Sequence, residues 1–137
     1  MDASALDQLK MHELLDLEVT HAAGDRVVLE WTVAEQHLQP FGLAHGGVHC
    51  LVNESTASIG AGLWFAEQVH GEAGGVVGVN NNTDFLRAAR PGDHLTATAT
   101  PIHQGRLQQL WLIESRDAEG RLVARGQVRL QNLPPRS

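Results

Sequence analysis

The chain has 137 residues, with 10 Lys and Arg against 16 Asp and Glu and a formal charge of -6 at pH 7. That length suits one domain spanning 1–137, and the acidic balance argues against general affinity for nucleic acid or an anionic membrane, which need clustered cations. A single cysteine, Cys50, excludes an intramolecular disulfide. With no apolar run long enough to cross a bilayer, and an opening MDASALDQLK unlike a signal peptide, the expectation is a cytoplasmic protein.

In chain order, Leu6, Leu9, Met11, Leu14 and Leu15 recur at roughly helical spacing after Ser4, a candidate N-cap with Asp7 three residues on. They predict a short amphipathic helix. From Arg26 the pattern changes to alternation, with Val27, Leu29, Trp31 and Val33 on one face and Glu30 and Thr32 on the other. This is a strand, expected to form a hairpin with the segment before AAGD. The segment from Gly46 to about Glu67 is the one long helix candidate. At 100° per residue it sets Val48, Leu51, Val52, Ser55, Ile59, Gly62, Leu63 and Ala66 on one stripe. A second face of Cys50, Glu54, Ala57, Ser58 and Ala61 is small apart from its carboxylate. The rest reads as strands: GVVGVNNNTDFLRAARPGD ends in a Pro-Gly turn, HLTATATPI alternates, HQGR turns, and RDAEG joins the last two strands. Four strands in a meander are expected here, with PPRS as a loose tail. One helix on a twisted antiparallel sheet gives an α+β assembly.

A lone Glu in a small, apolar helix needs explaining, because a buried carboxylate is costly unless it is paired or used. QPFGLAHGGVHCLVNESTAS, with VVGVNNNTDFLRAARPGD and HQGR after it, resembles the hotdog-fold acyl-CoA thioesterases. Within them the likeness is to the phenylacetate-pathway, 4-hydroxybenzoyl-CoA (Glu-on-helix), enterobactin-proofreading and dihydroxynaphthoyl-CoA branch. The sharpest part is HGG with Glu nine residues after its His and Gln six before it.

The resemblance implies a sheet wrapped around the long helix, and dimers whose sheets join and whose active sites draw on both chains, often paired again as tetramers. It implies that Glu54 attacks the thioester carbonyl or activates water, and that the Gly46 N–H is an oxyanion donor. Gln39 and His45 would orient the thioester and Ser58 the carboxylate or water. Coenzyme A or a carrier protein would arrive with the substrate, with no metal or other cofactor. The Asn80–Asn82 strand would line the acyl pocket and dimer seam through Asn82, and Phe85 would shape the acyl end. Arg87, Arg90, His103, Gly105 and Arg106 would meet the nucleotide and phosphates. Elementary chemistry agrees with these roles: a helix N-terminus offers free N–H groups to an oxyanion, Gly46 and Gly47 allow close approach, and one carboxylate suffices where a thiolate leaves. An aromatic acyl group is the first expectation.

Bland alternatives stand beside these. A helical Glu is commonly solvated. His45, His49 and Cys50 suggest a metal, but Gly46 stands where the zincin pattern needs Glu, so His49 is expected at the surface or a subunit contact and Cys50 as a small buried thiol. The asparagines fit a bulge or edge equally well, and the arginines fit a solvated face. A hydratase, or an acyl-CoA binder without turnover, is the functional alternative.

Overall fold

The computed structural model describes residues 9–70 and 74–135. Ser4 and Asp7, and the last two residues of the tail, lie outside the described residues. The first described helix, α1, is short (Lys10–Leu14) and leads into the expected hairpin of β1 (Glu18–Ala23) and β2 (Arg26–Thr32). After a 3-10 turn (Glu35–His37) comes the long helix α2 (Gly46–Gln68). Strands β3 (Gly75–Phe85), β4 (His94–Gln104), β5 (Gln108–Arg116) and β6 (Leu122–Leu133) follow, all in one antiparallel sheet.

The sheet order is β1-β2-β4-β5-β6-β3. The expected meander therefore holds for β4, β5 and β6, while β3 departs from it, pairing with β6 at the far edge as β4 pairs with β2. The segment 86–93 makes this crossing past the N-terminal end of α2, where Ala89 O accepts the Ala44 N–H at 2.8 Å. It ends in the predicted Pro-Gly turn: Gly92 has φ +92°, which a side chain would resist, and the Asp93 N–H closes the turn on Arg90 O at 3.0 Å.

Alternation in β2 and β4 comes out as read, with Val27, Leu29, Trp31, Leu95, Ala97 and Ala99 buried in one core with Val52 and Ile59 of α2. The buried face of α2 matches the expected stripe only in part, with Val52, Ile59 and Gly62 buried as expected. His49, Asn53, Thr56 and Gly60 are buried, whereas Val48, Leu51, Ser55, Leu63 and Ala66 are half-buried. Hydrophobicity misled at these positions because two of the buried polar residues find partners on the facing strand and the helix backbone. Asn53 Nδ2 donates to Thr83 Oγ1 at 3.0 Å, and the Thr56 hydroxyl donates to Val52 O. Gly60 is needed where it stands: a Cβ there would meet the ring of fully buried Trp111 at 2.5 Å.

Candidate active site

Strand β3 sets the geometry of the site. Among the described residues it pairs on one side with β6 and leaves its other edge open, and its register shifts between Gly78 and Asn80, leaving Val79 as a bulge. The asparagine run thus lies on an edge strand, directly after the bulge. Because side chains alternate along a strand, the extra residue changes which ones face α2. Gly78 pairs with Leu130, and Asn81 with Val128, both buried, so Gly78, Asn81, Thr83 and Phe85 lie on the helix side. Asn82 pairs with exposed Gln127 and lies on the opposite side.

Glu54 is exposed on α2 rather than buried, so its carboxylate is not the desolvated group that its apolar surroundings in the sequence suggested. It leans on β3: a Cβ at Gly78 would stand 3.1 Å from both Glu54 Cδ and Oε2. With Ser58 it lines a cleft of about 490 Å³ between α1 and α2, closed further by Leu9, Met11 and Leu51. Asn81 also lines this cleft and donates from Nδ2 to Cys50 O at 2.9 Å. His12 and Ser55 share a hydrogen bond across it, which pins α1 to α2. Burial lowers the pKa of His12.

A second cleft, of about 340 Å³, opens at the N-terminal end of α2 and is lined by Gln39, Gly46, His49, Phe85 and Arg87. Among the described residues the Gly46 N–H has no hydrogen-bond partner. The Gly47 N–H is engaged: it donates at 2.8 Å to Nδ1 of His45, whose exposed ring caps the helix and thereby keeps its hydrogen on Nε2. Gln39 Oε1 accepts the Phe41 N–H, which turns the amide NH2 away as a free donor. The ring of Phe85 sits against Gly46, where a Cβ would meet it at 2.7 Å. His49 lies in the core at 3% exposure, correcting the surface expectation, and burial holds its pKa at about 4.

The two clefts are separate on one chain. Gly46 and Glu54 stand eight residues apart on α2, about 12 Å along its axis at 1.5 Å per residue, so one thioester carbonyl cannot touch both. Arg90 is exposed in the turn before β4. The HQGR turn lies beside the start of β3, since Gly105 O and Arg106 O accept from Asn132 Nδ2 and Asn132 pairs with Val76. Gly105 and Arg106 there line a cleft with Trp64, and His103 packs against Gly105. Arg87 is at the opposite end of β3, so the structure does not bring the expected phosphate-binding residues together within one chain. Sequence reasoning missed His12 and Ser55, because a contact 43 residues apart leaves no local signal. It placed the Asn80–Asn82 strand at the pocket but through Asn82 rather than Asn81, because the bulge changes which side chain faces the helix.

The arrangement offers an exposed carboxylate, a free helix N-terminal N–H and a side-chain amide donor, which are components for attack on a carbonyl. The family model described as the thioesterase superfamily matches residues 41–124. A protein of Mycobacterium tuberculosis with a provisional esterase designation is 49% identical over 122 residues, covering 89% of this chain and 85% of that one. The 1,4-dihydroxy-2-naphthoyl-CoA hydrolase of Escherichia coli is 35% identical over 119 residues, covering 87% and 83%. Among solved structures, a thioesterase of Haemophilus influenzae superposes with a TM-score of 0.84 at 31% identity, over 97% of this chain and 91% of that one.

Proposed function

The chain belongs to the thioesterase superfamily as a hotdog-fold thioester hydrolase, and from that premise we propose that it cleaves an aromatic acyl-CoA, with Glu54 as nucleophile or general base, in a site shared by two copies of the chain. The observation that carries this reading is where the two clefts meet β3. Glu54 touches Gly78 near one end of the strand and Gly46 touches Phe85 at the other. An antiparallel pairing of two β3 edges about a twofold near Asn81 and Asn82 would set Gly78 opposite the second copy's Phe85. Glu54 of one copy would then stand by Gly46 and Gln39 of the other. The same operation would carry the second copy's Gly105–Arg106 turn toward Arg87, assembling a cationic site for the coenzyme A phosphates. Exposed Val77 and Val79 on that edge suit burial against a second copy. Dimers of this kind pairing into tetramers remain part of the reading.

In the assembled site the thioester carbonyl oxygen would accept from the Gly46 N–H, favoured by the helix dipole, with the Gln39 amide orienting it. The Glu54 carboxylate would add to the carbonyl carbon or take a proton from the water that does. The tetrahedral oxyanion then collapses and expels coenzyme A as a thiolate; where Glu54 itself attacked, water would then hydrolyse the acyl–Glu54 anhydride, releasing the carboxylic acid and restoring the carboxylate. Ser58, one turn from Glu54, would hold the carboxylate or water. The acyl group would lie in the cleft of Leu9, Met11 and Leu51; its apolar walls, and the naphthoyl-CoA relatives, favour an aromatic ring over a short aliphatic chain. A carrier-protein thioester would present the same carbonyl.

The test is thiol release from aromatic and aliphatic acyl-CoAs by wild type and Glu54→Gln. Turnover by wild type with at least a roughly 100-fold lower kcat in the folded variant is expected. Equal rates would remove Glu54 from the mechanism, and binding without turnover by wild type would make the protein an acyl-CoA binder.

A further inference from the structure

Resting on the proposed thioester chemistry, we propose that His49 is a further hydrogen-bonding residue of the Gly46 cleft, presenting an imidazole N–H to the substrate carbonyl oxygen beside the Gly46 N–H. The ring is buried, yet its Nδ1 has no hydrogen-bond partner among the described residues. An orphaned buried nitrogen costs folding free energy that an apolar residue of the same shape would spare. Packing holds the ring in place: it meets Trp31 edge to face at 5.6 Å and 66°, and lies 6.0 Å from Phe85 at 33°. Residue 49 stands three positions after Gly46, and helical side chains lean toward the N-terminus, so the ring covers the turn that carries the free N–H.

The surroundings decide which kind of ligand group fits. Gln39 offers its NH2, Gly46 its N–H and Arg87 a cation, and among the described lining residues there is no carboxylate. A donor-lined cleft selects an acceptor such as a thioester carbonyl oxygen. Facing an acceptor, a neutral imidazole takes the tautomer that donates, and burial keeps this ring neutral at pH 7. Phe85 packs on Gly46 and tilts over His49, so a ligand that displaces this one ring from the helix terminus uncovers both donors together.

Two variants and one unreactive probe test this. His49→Phe keeps the ring packing and removes both nitrogens, and His49→Gln restores an N–H. The probe is a ketone analogue of the acyl-CoA with a methylene between carbonyl and sulfur, which keeps the carbonyl and cannot be hydrolysed. His49→Phe should lower kcat about 10- to 100-fold with KM changed less than about threefold, His49→Gln should recover part of the loss, and the analogue should bind His49→Phe about tenfold more weakly. Unchanged kcat and unchanged analogue affinity in His49→Phe would overturn the proposal. If wild type binds the analogue but hydrolyses nothing, the thioesterase reading fails while the affinity comparison still decides the role of His49. In wild-type protein the ¹⁵N resonances of the His49 ring should move on saturation with the analogue; if they stay fixed the proposal fails, whether or not His49→Phe folds.

Discussion

The carboxylate of Glu54 rests against the backbone of Gly78, close enough that a methyl group on that glycine would lie 3.1 Å from both Cδ and Oε2. The contact joins the helix to an edge strand at the atom assigned to the chemistry. Gly78→Ala should therefore push the carboxylate aside at little structural cost, because the far end of a Glu side chain can move. Misplacement by even about 1 Å is enough to lower kcat roughly 10- to 100-fold. Steady-state kinetics beside a thermal melt checks this: lost rate with a retained melting temperature is expected, and a full rate would mean that the contact does not aim the carboxylate.

A site shared between copies can be rebuilt from two damaged chains. Mixed dimers of Glu54→Gln and Gln39→Ala would carry one site with both defects and one with neither. Random pairing should then restore about a quarter of wild-type activity, although each variant alone is nearly inactive. Coexpression with separable tags, followed by thiol-release assays, reads the outcome; no recovery would place Gln39 and Glu54 in independent sites.

Gly60→Ala tests the packing beneath the site. The added carbon would meet the Trp111 ring at 2.5 Å, between a helix and a sheet that are both fixed. Destabilisation of about 1–3 kcal/mol is expected from overpacking, read as a lower urea midpoint, with kcat per folded molecule unchanged.

Stability should also depend on pH through His49. Its ordinary pKa is 6.5 and burial holds it at about 4 in the folded chain. Above 6.5 the ring is neutral whether the chain is folded or unfolded, so it contributes no pH dependence there. As pH falls from 6.5 toward 4 the unfolded chain gains a proton that the folded chain refuses, so stability falls through that window and levels below it, by on the order of 3 kcal/mol. His12, also lowered by burial, acts in the same direction. Urea midpoints from neutral pH down to the acid end of this window should fall for wild type and fall less for His49→Phe; parallel curves would contradict the assignment.

Much of this was legible in the sequence. The bounds of α2, the β1-β2 hairpin and the inward set Leu95, Ala97 and Ala99 follow from periodicity, because those segments bury apolar residues at regular spacing. The rotation of α2 was not, since His49, Asn53 and Thr56 turn a polar-looking flank into the buried one once Thr83 and the helix backbone partner two of them. Nor was the place of β3: pairing with β6 rather than β4 is decided by the whole sheet closing around the helix. Glu54, Ser58, Gln39 and Gly46 stood out by residue type and spacing, but their division between two clefts did not, because separation along a helix becomes separation in space only when the neighbouring strand is known.

The bulge at Val79 divides β3 into two reading frames. Before it even-numbered residues face the helix, and after it odd-numbered residues do. Removing that single residue would merge the frames, and everything on one side of the cut would have to slide along β6 or turn over. Insertions and deletions in this strand are thus far more disruptive than substitutions, and lineages of this chain should vary the composition of β3 while keeping its length.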